Sequence, residues 1–419
     1  MVGIKRGEPE PRQPRKWRLP PIPRGRQRAF EGAHLLDELG GELGTFLFQR
    51  VRDVHVWADA PGDARRSLFQ VRGTPRLPAG AGEVGAELQV LAELVAHPAG
   101  SAPERVASAC AGIYHWALDH AYYATAAAYA SAAAHAQPFD PMFAIYAGRA
   151  ERARAAYDQG TLWFHRAISV ARLGGKLSAY VVALLSWANQ EITRGNRVRG
   201  RALLWRAWRY AKRHNLKHLG AEARHDLLAL AIDVEDWDEA ERHAEAAATL
   251  YGPRARNIFA LAHDWALVWL NRGFAAPALP VMEAALPFLT LPSARILALS
   301  SISRAAAMLG QADRFRSASD TVLGLAAVAT ENAPMALVHI SQAHFTAGDV
   351  ERARALSVRA REMARGRQDA TAEHFANELL AAIQAPAPAE RDVPLPEDSV
   401  IFLQAEMLLQ RVRKLAASL

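Results

Sequence analysis

The 419-residue sequence predicts an all-α chain built as a solenoid of antiparallel helix pairs, with a repeat of about 37–40 residues. Three observations carry that prediction. The first is a recurring turn position: Gly195, Glu235, Gly273, Gly310 and Gly348 follow one another at intervals of 40, 38, 37 and 38. The second is what surrounds each turn. Eight residues before it stands a large apolar residue (Trp187, Leu227, Trp265, Ile302, Ile340), and seven before it a mostly small one (Ala188, Leu228, Ala266, Ser303, Ser341). Five and twelve residues after it the chain is again mostly small, at Gly200, Ala240, Ala278, Phe315 and Ala353 and at Ala207, Ala247, Ala285, Val322 and Ala360. Small residues at fixed offsets on both sides of a turn let two helix backbones approach closely at fixed crossing points. A period of this size marks units that each bury a face on their neighbours. The third observation is composition: Ala, Leu, Arg and Glu, all good helix formers, dominate, and no alternating strand pattern competes.

The chain begins with a basic, proline-rich arm, residues 1–30. Its first 28 residues carry 9 Lys/Arg against 2 Glu, 9 − 2 = +7, which equals the net charge of the whole chain. The body is therefore neutral, and the arm is expected to be extended and disordered because such a composition buries too little apolar surface. It reads as a solubilising tail or as an arm for an acidic or nucleic-acid partner.

Residues 31–104 are expected to form an N-terminal helical region. Leu35, Leu36, Leu39, Leu43, Phe46, Leu47, Val51 and Val54 lie at helical spacing, with a break at Gly40-Gly41 and a turn at 60–63 before a second helix. A helix-turn-helix is rejected there, since the turn lacks two short flanking helices. A Gly/Pro-rich connector follows, holding one short amphipathic helix near 85–96.

The solenoid is assigned to 105–385, roughly seven hairpins, with early turns expected at Asp119-His120, Asp158-Gln159-Gly160 and Gly174-Gly175. Residues 386–398 are a Pro-rich linker, and 399–419 an amphipathic helix expected to cap the last apolar face of the array or to bind a partner.

The repeats resemble the tetratricopeptide repeat family. The copies ISQAHFTAGDVERARALSVRA (340–360), WANQEITRGNRVRGRALLWRA (187–207) and LLALAIDVEDWDEAERHAEAA (227–247) carry that family's pattern of large and small residues, turn and alanines, and WALVWLNRGFAAPALPVMEAA (265–285) follows it closely. The resemblance is strong over 180–365. The period exceeds the roughly 34 residues usual for that family, so longer helices or loops must absorb the difference. The resemblance implies a right-handed superhelix whose first helices line a concave, peptide-binding face. The chain also resembles the repeat portion of bacterial regulators that sense signalling peptides.

No catalytic motif is present: no phosphate loop, no metalloprotease helix, no nucleophile elbow, and GGELG at 40–44 follows no strand. The chain is expected not to be an enzyme and to need no cofactor. His225-Asp226 and His263-Asp264 recur one repeat apart, 263 − 225 = 38. A metal-dependent site would need further ligands that do not stand out, so they read as a polar ladder on successive first helices. With Asn189, Arg304, His339 and Gln342 they make up the candidate groove, whose amide, imidazole and guanidinium groups suit a peptide backbone or carboxylate. A second candidate is the basic stretch 194–224, including Arg197, Arg199, Arg206, Arg209 and Arg213 with Trp205, Trp208 and Tyr210 interleaved. Basic and aromatic residues together suit single-stranded nucleic acid or an acidic protein, whereas the stripe Leu203, Leu204, Ala207 and Ala211 makes the charges an outer, solvated face.

The sequence holds 1 cysteine, Cys110, which excludes an intrachain disulfide and suits a reducing compartment. It has no secretory signal and no apolar run near the roughly 18–20 residues that span a bilayer. The expected protein is a cytoplasmic, bacterial-type scaffold or sensor that binds a protein or peptide segment in its groove, with no membrane partner. The alternative is a nucleic-acid-associated regulator using the arm and the basic face.

Overall fold

A computed structural model describes residues 19–23, 33–69, 73–328, 331–385 and 398–419. Most of the basic arm, residues 70–72 and the Pro-rich linker 386–397 lie outside the described residues. Among the described residues the regular secondary structure is all helical, with no strand. The N-terminal region holds α1 (Ala33–Glu38), α2 (Gly41–Asp59) and α3 (Gly85–Ala96). The break between α1 and α2 falls at the glycines that foretold it, and Gly41 adopts φ 70°. The expected second helix after the 60–63 turn is only a single 3₁₀ turn, Ala64–Ser67, in which no residue is buried.

Seven helix pairs then follow among the described residues. They are α4 (Pro103–Asp119) with α5 (Tyr123–Ala136), α6 (Pro141–Ala153) with α7 (Tyr157–Leu173), and α8 (Leu177–Thr193) with α9 (Arg197–Arg213). Next come α10 (Lys217–Ile232) with α11 (Trp237–Tyr251), α12 (Ile258–Asn271) with α13 (Ala275–Ala285), α14 (Pro292–Met308) with α15 (Ala312–Leu325), and α16 (Ala333–Thr346) with α17 (Val350–Gly366). The single helices α18 (Ala370–Gln384) and α19 (Ser399–Ala416) complete the chain.

The long period has a simple origin. The helices α7, α8 and α9 have 17 residues each. The connections between them, 174–176 and 194–196, are equally short within a pair and between pairs. Ala155, Gly175, Gly195, Asn215 and Glu235, spaced 20 apart, all take positive φ, between 53° and 84°. Each is the left-handed residue that stops a helix. At Gly195 its N–H bonds to Ile192 O at 2.8 Å and the next N–H, of Asn196, to Glu191 O at 2.8 Å, which satisfies two carbonyls of the last turn. Positions 155/156, 175/176, 215/216 and 235/236 repeat that pair of bonds.

The turn expected at Asp158–Gly160 is therefore displaced. It lies at 154–156, and Gly160 belongs to α7, five residues past the turn at Ala155, in the slot held by Gly200 and Ala240 later on. The crossing slots themselves are buried as the pattern requires, with Ala188, Ala207, Ala240, Ala266, Ala353 and Ala360 all at 0% exposure. An L-residue in the left-handed region is strained by roughly 1–2 kcal/mol. Ala155→Gly is accordingly expected to raise the unfolding free energy by about 1 kcal/mol, read as a higher urea midpoint with unchanged slope.

Two ends depart from expectation. The helix α19 does not cap the terminal α18. It docks in the middle of the array, where Ile401, Ala405, Leu408, Leu409, Val412 and Leu415 join the core of α11 to α13, and Arg411 donates to Ala248 O at 3.0 Å and Gly252 O at 2.7 Å. The described part of the arm, 19–23, lies against the array rather than apart from it: Pro23 is buried, Ile22 packs on the core, and Pro20 O accepts from the guanidinium of the buried Arg166.

Candidate functional site

Five successive first helices bring the eight predicted groove residues to one concave surface. Asn189 comes from α8, His225 and Asp226 from α10, His263 and Asp264 from α12, Arg304 from α14, and His339 and Gln342 from α16. All but His225 line two adjoining cavities of about 380 and 500 Å³, whose walls share Ala229 and Asp233. His225 stands behind them and holds Asp264.

The two His-Asp pairs interlock across the repeat, which adjacency in sequence does not reveal. The Asp264 carboxylate accepts from His225 Nε2 at 2.9 Å and from His263 Nδ1 at 2.8 Å. Burial alone would raise the Asp264 pKa, but these two bonds outweigh it and hold the carboxyl far below its ordinary range. Burial likewise pulls His225 down, and the bond to Asp264 reverses that, leaving its pKa raised. The Tyr251 hydroxyl lies 3.4 Å from His225 Nδ1. Asp226 lacks such donors: burial pushes it up to about 6, although His225 and a bond from Asn189 oppose the rise.

At the other end of the groove, Arg304 donates to Asn271 Oδ1 and forms no ion pair among the described residues. Burial lowers its pKa to about 10. Burial, with the nearby charges of Arg304 and His263, pushes His339 down to about 3, so its ring is neutral. Ser300 Oγ donates to Leu297 O at 2.7 Å and lies 3.1 Å from His339 Nδ1, which assigns the ring proton to Nδ1. Two shielded polar atoms in this wall have no partner, His263 Nε2 and Gln342 Oε1. Both atoms are placed to hydrogen-bond an occupant, and the Gln342 oxygen would accept an N–H from it.

The groove is closed by contacts far apart in sequence. Arg152 pairs with Glu331 at 2.9 Å, Arg367 donates to Ala153 O at 2.9 Å, and Thr371 donates to Ile192 O at 3.2 Å. These bonds bring α17, α18 and the segment before α16 onto α6 and α8. Beneath the seam burial pushes Asp233 up to about 7, with Arg197 opposing and Asp369 adding to the rise, and burial also raises Asp369. Folding raises the Asp233 pKa, so the unfolded chain loses this proton first, near 3.8, and the folded chain only near 7. Its ionisation therefore removes stability as pH rises through that window. Asp233→Asn is expected to raise the melting temperature at pH 8 and to change it little at pH 4. An equal gain at both values would contradict the assignment.

The basic stretch divides. Arg199 pairs with Glu191 at 3.6 Å and Arg201 with Glu239 at 2.8 Å. Arg206, Arg209 and Arg213 are exposed on the outer face of α9, and Arg206 covers the Tyr180 ring at 5.6 Å. Arg197 lies half-buried beside Asp233. Trp205 and Trp208 are half-buried and already covered by Arg224, at 5.0 and 4.2 Å. They are not free platforms on which bases could stack. Cys110 is buried, and its burial pushes the thiol pKa well up. Among the described residues no helix is long and apolar enough to cross a membrane.

The sequence matches no protein-family model and no curated protein. Among solved structures the chain is similar to a Rap protein complexed with competence and sporulation factor, at 12% identity and TM-score 0.42, covering 84% of this chain and 97% of that one. It is also similar to a signal transduction ATPase with numerous domains, carrying a tetratricopeptide repeat sensor, from Pyrococcus horikoshii, at 12% identity and TM-score 0.43. That match covers 92% of this chain, which spans 64% of the ATPase chain.

Proposed function

We propose that this chain is a non-catalytic binding scaffold whose enclosed groove holds an extended segment of a protein or peptide partner. The observation that carries the reading is the convergence of Asn189, Asp226, His263, Asp264, Arg304, His339 and Gln342 on two adjoining cavities, with polar atoms of His263 and Gln342 left unpaired. An extended backbone supplies the complement, because its N–H groups are unpaired and its carbonyls suit the guanidinium of Arg304. Buried polar groups that lack partners cost stability, and a bound segment that pairs them recovers it. The fixed ladder of first helices gives register, since each repeat presents its polar residues at a nearly constant offset.

A partner recovered by pull-down from the native cell lysate would be titrated calorimetrically. Arg304→Ala is expected to weaken binding by about 2 kcal/mol, roughly thirtyfold, with the helical signal and melting temperature nearly unchanged. If Arg304→Ala and Asn189→Ala bind like wild type while Arg206→Glu with Arg209→Glu abolishes binding, the partner uses the outer basic face and the groove reading fails. Loss of that binding in high salt, together with a mobility shift of nucleic acid, would point to the nucleic-acid alternative.

A further inference from the structure

We infer that the outer face of the array carries a second, separate site: a pocket for a monomeric anionic amphiphile, an apolar chain bearing a carboxylate or similar head. The pocket lies between α9, α10 and α11, has a volume of about 600 Å³, and is mostly apolar. None of the eight groove residues belongs to its walls. The inference therefore stands independently of the proposed function.

A glycine stands at the floor of the hollow. Gly220, in the first turn of α10, has no side chain; a Cβ there would sit 3.8 Å from Ala211 Cβ and 3.9 Å from Leu250 Cδ1, ordinary contact distances. Its backbone is not left-handed, so the chain does not require glycine for conformation. The space that a larger residue would fill is walled instead by Trp208, Leu216 and Leu250. A concave, mostly apolar volume of this size with a few polar groups at its rim is the usual form of a small-molecule site.

The rim selects the charge. Lys212, Lys217, Arg224 and Arg242 line it, against Glu245 alone. None of these four cations has a carboxylate within ion-pair distance among the described residues. Arg224 is the most telling. It is half-buried, lies over the Trp208 ring, contacts His243 Nδ1 at 3.0 Å, and has an Nε shielded from solvent without any hydrogen-bond partner. An apolar chain removes the hollow's walls from water, and an anionic head pairs the cations that the protein leaves uncompensated. A nucleic-acid strand fits less well: its phosphates suit the rim, but the apolar hollow stays unfilled and Trp208 is already covered by Arg224 and Lys212.

The test is calorimetric titration of the full chain with sodium dodecanoate below its micelle threshold, beside dodecyltrimethylammonium, which has the same tail and the opposite charge. Dodecanoate is expected to bind at one site and at least tenfold more tightly than the cationic amphiphile. Gly220→Leu, which fills the hollow, and the rim reversal Lys212→Glu with Lys217→Glu should each weaken it at least tenfold, while Arg304→Ala leaves it unchanged. Should Gly220→Leu misfold by circular dichroism, the rim reversal, which touches only exposed side chains, decides alone. Equal affinity for the two amphiphiles, many-site binding, or unchanged affinity in the rim reversal overturns the inference. So does tighter association with phosphatidylglycerol vesicles than with monomeric dodecanoate, which would make the face a membrane-docking surface instead.

Discussion

Gly160→Leu is expected to destabilise the fold by roughly 3 kcal/mol, whereas Val198→Ala, at a side chain 87% exposed, should stay within about 0.5 kcal/mol of wild type. Gly160 is where α7 crosses α6 and touches α8. A Cβ there would lie 2.2 Å from Gln190 Oε1 and 3.2 Å from the backbone oxygen of Gly148. The Gln190 amide cannot simply yield, because the residue is fully buried and its Nε2 donates to Tyr157 O at 3.0 Å and to Thr161 Oγ1 at 2.7 Å. Moving it breaks both hydrogen bonds, and moving the helices opens the α6–α7 crossing, where Gly148 already faces the Phe164 ring closely. Ala240→Leu and Ala353→Leu, in the same slot of later repeats, are expected to cost about 1–3 kcal/mol each. Urea denaturation of the four variants checks the order. Gly160→Leu as mild as Val198→Ala would mean that the repeat phase does not extend into the α6–α7 pair.

Asp264→Asn is the second large effect, about 3 kcal/mol of lost stability. The carboxylate is the shared acceptor of two ring N–H groups, His225 Nε2 and His263 Nδ1. An asparagine offers one oxygen in place of two and turns an N–H donor toward one of the imidazoles. His225, whose pKa the carboxylate holds up, should then titrate at lower pH, visible in the imidazole resonances of a proton NMR titration. The pH dependence has a definite sign. Folding lowers the Asp264 pKa, so the unfolded chain takes up this proton first, and the stabilisation present at neutral pH is lost as pH falls below the ordinary carboxylate value of 3.8. The wild-type advantage over Asp264→Asn should therefore shrink toward pH 3. A variant as stable as wild type at pH 7 would mean that water or another donor set supports the two imidazoles.

The five later repeats were legible because their turns carry a glycine, or Glu235, at a constant offset from small crossing residues. The α6–α7 pair was misplaced because its turn residue is Ala155, while its visible glycine, Gly160, marks a crossing. Local pattern reports that a position must be small, not which of two reasons makes it so. The groove residues were found because the repeat places them in register. Their pairing was not, since His225 binds Asp264 of the next repeat rather than its neighbour Asp226. The docking of α19 on α12 and α13 and the closure of α18 against α8 depend on where a superhelix returns in space, which no single repeat encodes. The outer pocket was obscured because its signal is an absent side chain at Gly220.

On the proposed reading the groove, not the outer basic face of α9, holds the partner. The most direct measurement is site-specific photo-crosslinking. Cys110 is buried, so an introduced surface cysteine can be labelled selectively with benzophenone maleimide. Met335→Cys, at a groove wall residue that makes none of the proposed polar contacts, places the label inside the groove and Arg209→Cys places it on the outside of α9. On irradiation in native lysate, the groove label is predicted to capture a discrete partner, with capture lost when Arg304→Ala is added, and the outer label to capture none. Capture by the Arg209 label alone, undiminished by Arg304→Ala, would place the partner on the outer face of α9 instead of in the groove.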